Sequence, residues 1–132
     1  MLNKFKFLGI VALLATSLFM TSCSKENMLE GTWNVVNLTV NGYAQSGGQW
    51  TFNDGGSFVM NMGETISGNW NLSGDNLTIN YSYYDKGEEY VNGTMNLNVT
   101  ELKSKSLKVN GTLTERYYSE SYTGTISGSF SK

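Results

Sequence analysis

Residues 49–72 read QWTFNDGGSFVMNMGETISGNWNL, and this stretch decides the fold. Apolar and polar residues alternate on both sides of the turn sequence at 54–56: Trp50 and Phe52 share one face before the turn, and Phe58 resumes the pattern after it. Successive side chains of a β-strand point to opposite faces, so a period of two predicts strands with one buried face. A Gly-containing turn this short joins such strands into an antiparallel hairpin.

The same alternation extends over residues 30–132, with turn residues between the apolar runs. It predicts eight strands and no helix of normal length in this part of the chain. The apolar phase slips at Val35 and Val36, which predicts a bulge in the first strand. The predicted strands are Thr32–Val40, Gln49–Asn53, Ser57–Met62, Thr65–Leu72, Asn76–Tyr84, Glu89–Val99, Ser106–Thr114 and Tyr122–Ser131.

Nearly all connections between these strands are short enough for hairpins, so the topology that we predict is a meander. A meander of eight strands avoids exposed sheet edges when it closes on itself. The predicted fold class is therefore all-β: an eight-stranded antiparallel up-and-down meander barrel without a C-terminal helix.

The first residues of the chain have the pattern of a targeting segment. Lys4 and Lys6 precede an apolar run from Leu8 to Met20, which is too short to span the roughly 30 Å of bilayer hydrocarbon. A short apolar run that follows positive charge is typical of a signal peptide, which we place at residues 1–22. Loss of the two lysines changes the formal net charge from −2 to −4.

The composition excludes several kinds of chemistry. The chain has no His and one Cys among its 132 residues. Ser-His and Cys-His catalytic pairs, imidazole metal sites and intramolecular disulfides are therefore excluded. Glu88 and Glu89 point to opposite faces of a strand and cannot converge as an acid–base pair. We expect no enzyme activity, no catalytic residues, no metal site and no cofactor, and the small net charge argues against nucleic acid as a partner.

The tetrapeptide Met20-Thr21-Ser22-Cys23 resembles the lipobox of bacterial lipoproteins. The resemblance implies that Cys23 becomes the first mature residue and is acylated, and more than one acyl chain gives stable membrane anchoring. Ser24 after the cysteine implies, by the same resemblance, passage to the outer membrane of a Gram-negative cell envelope, facing the periplasm or the surface. Residues 23–29 would then be the lipidated Cys and a short polar tether, and residues 30–132 the barrel.

Leu29-Glu30-Gly31-Thr32-Trp33 opens the first predicted strand, and the strand-and-turn patterns of residues 50–58, 66–72, 77–79 and 102–109 follow it. Together these segments are similar to the lipocalin-like domain of small bacterial lipoproteins. In lipocalins a Gly-x-Trp pair lies in the first strand, and its Trp closes the barrel floor against an Arg that follows the last strand. The resemblance implies that Gly31 and Trp33 lie at the floor of a barrel with a ligand cavity. The sole arginine of this chain, Arg116, precedes the last strand, so we expect that partner of Trp33 to be missing.

A meander places alternate turns at the same end of the barrel. We expect the N-terminal end and the tight turns to form the floor, and the longer connections at 41–48 and 115–121 to form the mouth. All eight tyrosines fall in the mouth half, where an apolar ring with a polar tip suits a partly wet recognition surface. Tyrosine also favours half-buried strands in general. The candidate mouth residues are Tyr43, Tyr83, Tyr84, Tyr90, Tyr117, Tyr118 and Tyr122.

Acidic residues gather in the mouth half, whereas the floor turns carry about as many lysines as acids. An acidic mouth disfavours anionic ligands and tolerates neutral or cationic ones. Because Cys23 is on the floor side, the mouth is expected to face away from the membrane. The mouth-side charges are Glu64, Asp85, Glu88, Glu89, Glu115 and Glu120 against Lys86 and Arg116.

Two functions follow from this architecture, because an eight-stranded barrel is either just filled by its own side chains or holds one small ligand. The first is non-catalytic binding of a small hydrophobic or amphipathic molecule by a membrane-anchored lipoprotein. The second is a filled barrel that contacts a protein or glycan through its tyrosine-rich mouth. The candidate ligand-lining residues are Trp50, Phe52, Phe58, Met60, Trp70 and Tyr81.

Overall fold

The computed structural model describes residues 24–85 and 89–132. Within these ranges one short helix precedes nine antiparallel strands. The elements are α1 (Ser24–Leu29), β1 (Gly31–Val40), β2 (Tyr43–Ala44), β3 (Gln49–Phe52), β4 (Ser57–Asn61), β5 (Thr65–Ser73), β6 (Asn76–Asp85), β7 (Glu89–Leu102), β8 (Ser106–Tyr117) and β9 (Glu120–Ser131).

The sheet closes into a barrel. Strands β1 and β3 to β9 pair in chain order, and β9 pairs back with β1 over the register from Asn34↔Ser131 to Val40↔Ile126. The predicted eight-stranded antiparallel up-and-down barrel is therefore confirmed, and the described chain ends on β9 and Lys132 rather than on a helix. One further strand, β2, pairs only with the end of β1.

The bulge in β1 lies where the apolar phase slips. The register between β1 and β9 shifts between Val35 and Asn37, and the skipped Val36 is 66% exposed. The extra residue lets Val35 and Leu38 both face inward, although they are three residues apart. The predicted irregularity is confirmed.

The start of the folded unit differs from the expectation. Residues 24–29 form α1 instead of a polar tether, and Leu29 is completely buried in the barrel core. The barrel domain therefore includes α1 and does not begin at residue 30. Cys23 and the proposed signal peptide at 1–22 lie outside the described residues.

The floor half of the barrel is packed with large rings. The ring centroids of Trp50 and Phe130 are 4.7 Å apart, those of Trp50 and Phe58 5.6 Å, and those of Phe58 and Phe52 5.1 Å. Trp70 meets Phe52 edge-on at 5.7 Å. Tilted and edge-to-face contacts of this kind add about 0.5–1.5 kcal/mol each beyond the burial of apolar area. This continuous aromatic cluster fixes the lower part of the barrel as a solid core.

The two ends of the barrel are distinguished by their turns. The turns at 53–56, 74–75 and 103–105 share one end with α1, which is the floor. The connections at 41–48, 62–64 and 118–119 lie together at the opposite end, which is the mouth. The connection between β6 and β7, at 86–88, lies outside the described residues. In the described part of the chain, no helix is long and apolar enough to cross a bilayer.

Candidate ligand-binding site

A cavity of about 180 Å³ lies inside the mouth half of the barrel and is open to solvent on one side. Its wall is mainly apolar. In addition to Trp50, the lining residues that carry polar groups are Gln45, Tyr81, Tyr83 and Glu115. A dry cavity of about 150 Å³ holds benzene, whereas pockets for drug-sized ligands measure about 300–1,000 Å³. The space therefore suits one aromatic ring or a short alkyl chain. The other lining residues are Leu38, Val40, Met60, Met62, Ile66, Met95, Leu113 and Ile126.

The six candidate ligand-lining residues separate into two groups. Trp50, Met60 and Tyr81 line the cavity. Phe52 and Phe58 are completely buried in the aromatic cluster of the floor half, away from the cavity wall. Trp70, half-buried, joins the same cluster and donates a hydrogen bond from Nε1 to the carbonyl oxygen of Asn53 at 2.9 Å.

Trp50 carries a polar atom that the fold leaves without a partner. Its side chain is completely buried, and across residues 24–85 and 89–132 its Nε1 is the one buried side-chain nitrogen or oxygen without a hydrogen-bond partner. Buried donors in native proteins are normally satisfied, because an unpaired one costs about 1–3 kcal/mol. This nitrogen is itself shielded from solvent, so it is an unfavourable feature of the closely packed core and not a donor exposed to the cavity.

One carboxylate reaches into the cavity. Glu115 follows the buried Leu113 at strand spacing on β8, so its side chain falls on the inward register. The Tyr83 hydroxyl donates a hydrogen bond to Glu115 Oε2 at 2.8 Å. Burial raises the pKa of Tyr83, and this hydrogen bond and Tyr117 raise the pKa further. Burial, and secondarily the charge of Glu115, raises the pKa of Tyr81. Both phenols therefore remain O–H donors at neutral pH.

The seven candidate mouth tyrosines do not form one surface. Tyr83 lines the cavity, and Tyr117 is half-buried on the inward register of β8. Tyr84 and Tyr90 form a ring pair at 5.1 Å on the outside, across β6 and β7. The others lie at the rim: Tyr43 on β2 (76% exposed), Tyr118 (82% exposed), and Tyr122, whose hydroxyl is hydrogen-bonded by Asn41 Nδ2.

The floor is closed by Trp33 and α1. Trp33 is completely buried, and its Nε1 donates to the carbonyl oxygen of Leu29 at 2.8 Å. Lys132 Nζ lies 4.7 Å from the centroid of the Trp33 ring and donates to the carbonyl oxygens of Met28 and Glu30. The residue after the last strand that lies against Trp33 is thus a Lys and not an Arg.

Gly31 makes this arrangement sterically feasible. Its φ is 118°, in a region that side chains with a Cβ rarely adopt. A Cβ at this position would also lie 2.8 Å from Lys132 Cε. Gly31 and Trp33 both lie at the floor end of β1.

Most of the cavity wall was not singled out from the sequence. Met95, Leu113 and Ile126 are buried at inward positions of β7, β8 and β9, and the alternation of these strands is the signal that identifies them. Glu115 follows the same alternation from Leu113. Gln45 has no such signal, because it lies in the connection between β2 and β3.

Comparison with known proteins adds no assignment. The chain matches no protein-family model, no curated protein and no solved structure. No group of three or more Cys, Asp or Glu residues within 24–85 and 89–132 is arranged to hold a metal ion.

Proposed function

We propose that this protein is a membrane-anchored, lipocalin-like lipoprotein of the outer membrane that binds a small hydrophobic or amphipathic molecule without chemical conversion. The observation that carries the proposal is the cavity of about 180 Å³ in the mouth half of the barrel, above the aromatic cluster of the floor half. Its mainly apolar wall favours a ring or a short alkyl chain through the hydrophobic effect.

A blocking substitution tests the binding site. Ile66 is half-buried in the cavity wall, so Ile66→Trp would place an indole across the cavity. Val59 lies next to it on β4, opposite Ser67, between the inward-facing Phe58 and Met60, so Val59→Trp puts the same indole outside the barrel. Titration calorimetry with benzyl alcohol should show saturable binding to the wild type and to Val59→Trp, and none to Ile66→Trp. Equal binding by all three proteins, or by none, contradicts the proposal.

Membrane attachment through Cys23 is tested separately. If the cysteine is acylated, the wild-type protein incorporates a labelled fatty acid and sediments with membranes, and Cys23→Ser does neither. The position of α1 supports a specific orientation: it begins at Ser24 and its end is buried at the floor, so an anchor at Cys23 would hold the floor beside the membrane. Labels on the exposed Tyr118 should then be accessible from the side away from the bilayer.

A second function is favoured by the exposed rings outside the barrel. Tyr84 is 64% exposed and Tyr90 42% exposed, and they form a pair that does not contribute to the cavity. Such a pair suits contact with a protein or glycan partner. The double substitution Tyr84→Ser/Tyr90→Ser should abolish retention of that partner, whereas Ile66→Trp should not. The opposite pattern would assign the interaction to the cavity instead.

A further inference from the structure

The cavity contains an unusual row of residues at one level of the barrel. Across the sheet, Gly68 of β5 pairs with Tyr81, Tyr81 with Gly93, Gly93 with Glu115, and Glu115 with Tyr122 of β9. The Tyr81 ring lies directly over Gly93, since a Cβ there would be 2.1 Å from its Cζ. An aromatic ring and a carboxylate therefore belong to the same wall, with only the bare backbone of Gly93 between their strands.

The aromatic part of this wall is a pair of rings. The centroids of Tyr81 and Tyr83 are 6.3 Å apart with an interplanar angle of 15°, and both residues line the cavity. The face of a tyrosine ring carries a negative quadrupole, and it attracts a cation within about 6 Å of its centroid. The attraction is greater in a desolvated site than at an exposed one.

The carboxylate of this wall has capacity left for a ligand. An ionised carboxylate accepts at both of its oxygens. Tyr83 donates to Oε2 of Glu115 and not to Oε1. The same donor fixes the orientation of the group, so Oε1 is held in place beside the tyrosine rings.

The charged residues on the inward register of the described mouth strands are acidic. Asp85 lies two residues beyond Tyr83, and Glu89 two residues before the buried Val91, so both fall on the inward register above the cavity. Arg116 is the basic residue of the mouth half in the described ranges, and it is exposed on the outward register. Inward carboxylates over a low-dielectric wall focus a potential that attracts cations and repels anions.

The floor end shows the contrast. There Lys25 pairs with Asp75 at 3.0 Å and Lys103 with Glu101 at 3.4 Å. Among the residues that the structure describes, no mouth acid makes an ion pair with a described Lys or Arg. The negative charge of the mouth is thus uncompensated by the residues that the structure describes.

We propose that the ligand of the cavity is a small organic cation, with its ammonium group against Glu115 and the rings of Tyr81 and Tyr83 and its apolar body in the remaining space. This inference rests on the proposed binding function and narrows it to one class of amphipathic molecule. A ring-bearing primary ammonium matches both the volume of about 180 Å³ and the single carboxylate in the wall.

Three probes that share one ring but differ in charge test whether the ligand is a cation: benzylamine, benzyl alcohol and benzoate. Their binding is measured at pH 7 by titration calorimetry on the whole protein in nanodiscs, with empty nanodiscs as blanks. Benzylamine should bind roughly ten- to hundredfold more tightly than benzyl alcohol, as expected for a hydrogen bond to a charged group. Benzoate should show no binding. The preference for benzylamine should weaken as NaCl is raised.

Substitution of the carboxylate tests its location. Glu115→Gln should reduce the affinity for benzylamine to about that for benzyl alcohol. Glu64→Gln, which removes an exposed mouth acid outside the cavity wall, should keep the full preference. If Glu115→Gln does not fold, Tyr83→Phe provides the test: it keeps the ring but removes the hydrogen bond that orients Glu115, so it should weaken benzylamine binding more than benzyl alcohol binding.

The outcomes separate the two proposals. If benzyl alcohol binds the wild type as tightly as benzylamine, or if the preference for benzylamine does not depend on salt, the cation inference is wrong and the binding function stands. If none of the three probes binds, the binding function itself is wrong and the inference fails with it.

Discussion

The substitution Leu29→Ala tests whether α1 is part of the folded barrel. Leu29 is completely buried, whereas its carbonyl oxygen accepts the Trp33 hydrogen bond at 2.8 Å. The substitution shortens the side chain and keeps the carbonyl, so only the apolar packing is lost. Leu→Ala at fully buried sites costs about 2–5 kcal/mol. We expect about 3 kcal/mol here, because a short helix packed against one end of the barrel can partly close the space.

This loss is large enough to measure by thermal unfolding. For a domain of just over 100 residues, 1 kcal/mol corresponds to a change in Tm of roughly 4 °C, so the Tm should fall by roughly 12 °C. The matched control is Asn27→Ala, an exposed position on the same helix, which should leave the Tm nearly unchanged. Near-UV circular dichroism is the suitable probe, because Trp33 packs against this region.

The result that refutes the reasoning is a Tm for Leu29→Ala equal to that of Asn27→Ala. Residues 24–29 would then behave as the polar tether that their composition suggests. A lipid anchor at Cys23 would in that case be separated from the barrel by a flexible segment, and the mouth would have no fixed orientation. The stability measurement therefore also decides a question about placement at the membrane.

The remaining predictions concern the floor and the tyrosines. Lys132→Met should lower the free energy of unfolding by about 1–2 kcal/mol in urea titrations. The reason is that the substitution removes two hydrogen bonds and the cation–π contact with Trp33. An unchanged urea midpoint would show that solvent already compensates for these contacts. Burial raises the pKa of Tyr81 above its ordinary value near 10. Above pH 10 the unfolded chain therefore releases a proton that the folded chain keeps. The free energy of unfolding should then fall by up to about 1.4 kcal/mol per pH unit. Tyr81→Phe should reduce this alkaline loss in urea unfolding between pH 8 and 11, and the remaining loss is expected from Tyr83, whose pKa is also raised. An equally steep loss in the variant would exclude Tyr81 as a cause.

The architecture of the barrel could be predicted because it depends on local patterns. Alternation around the turn at 54–56 and the phase slip at Val35 and Val36 correctly predict the strands and the bulge. Strand β2 was missed because two residues are too few to show a period. Helix α1 was missed because Leu29 is a single apolar residue at the end of a polar segment, and only the barrel floor shows what covers it.

The cavity could be predicted only in part, because its position depends on how side chains of different strands share the interior. Inward phase predicts that Trp50, Phe52 and Phe58 face inside, but it does not predict that the two phenylalanines pack together at the floor. The same limitation applies to Lys132, whose contact with Trp33 joins the two ends of the described chain. Such contacts depend on closure of the sheet and leave no periodic signal.

The division of the barrel into a filled half and an open half follows from the size of the side chains that face inward. An eight-stranded barrel has just enough interior for its own side chains. In the floor half the inward positions carry large rings that contact one another: Trp50, Phe52, Phe58 and Phe130. The inward glycines leave no free space, because the Tyr81 ring covers Gly93, the Asn41 side chain covers Gly124 and the backbone of Asn80 lies against Gly68. Toward the mouth most inward positions carry aliphatic side chains, and the cavity lies among them beside Glu115. The choice between a filled and a ligand-holding barrel is therefore made locally, at the level where the floor rings give way to smaller side chains.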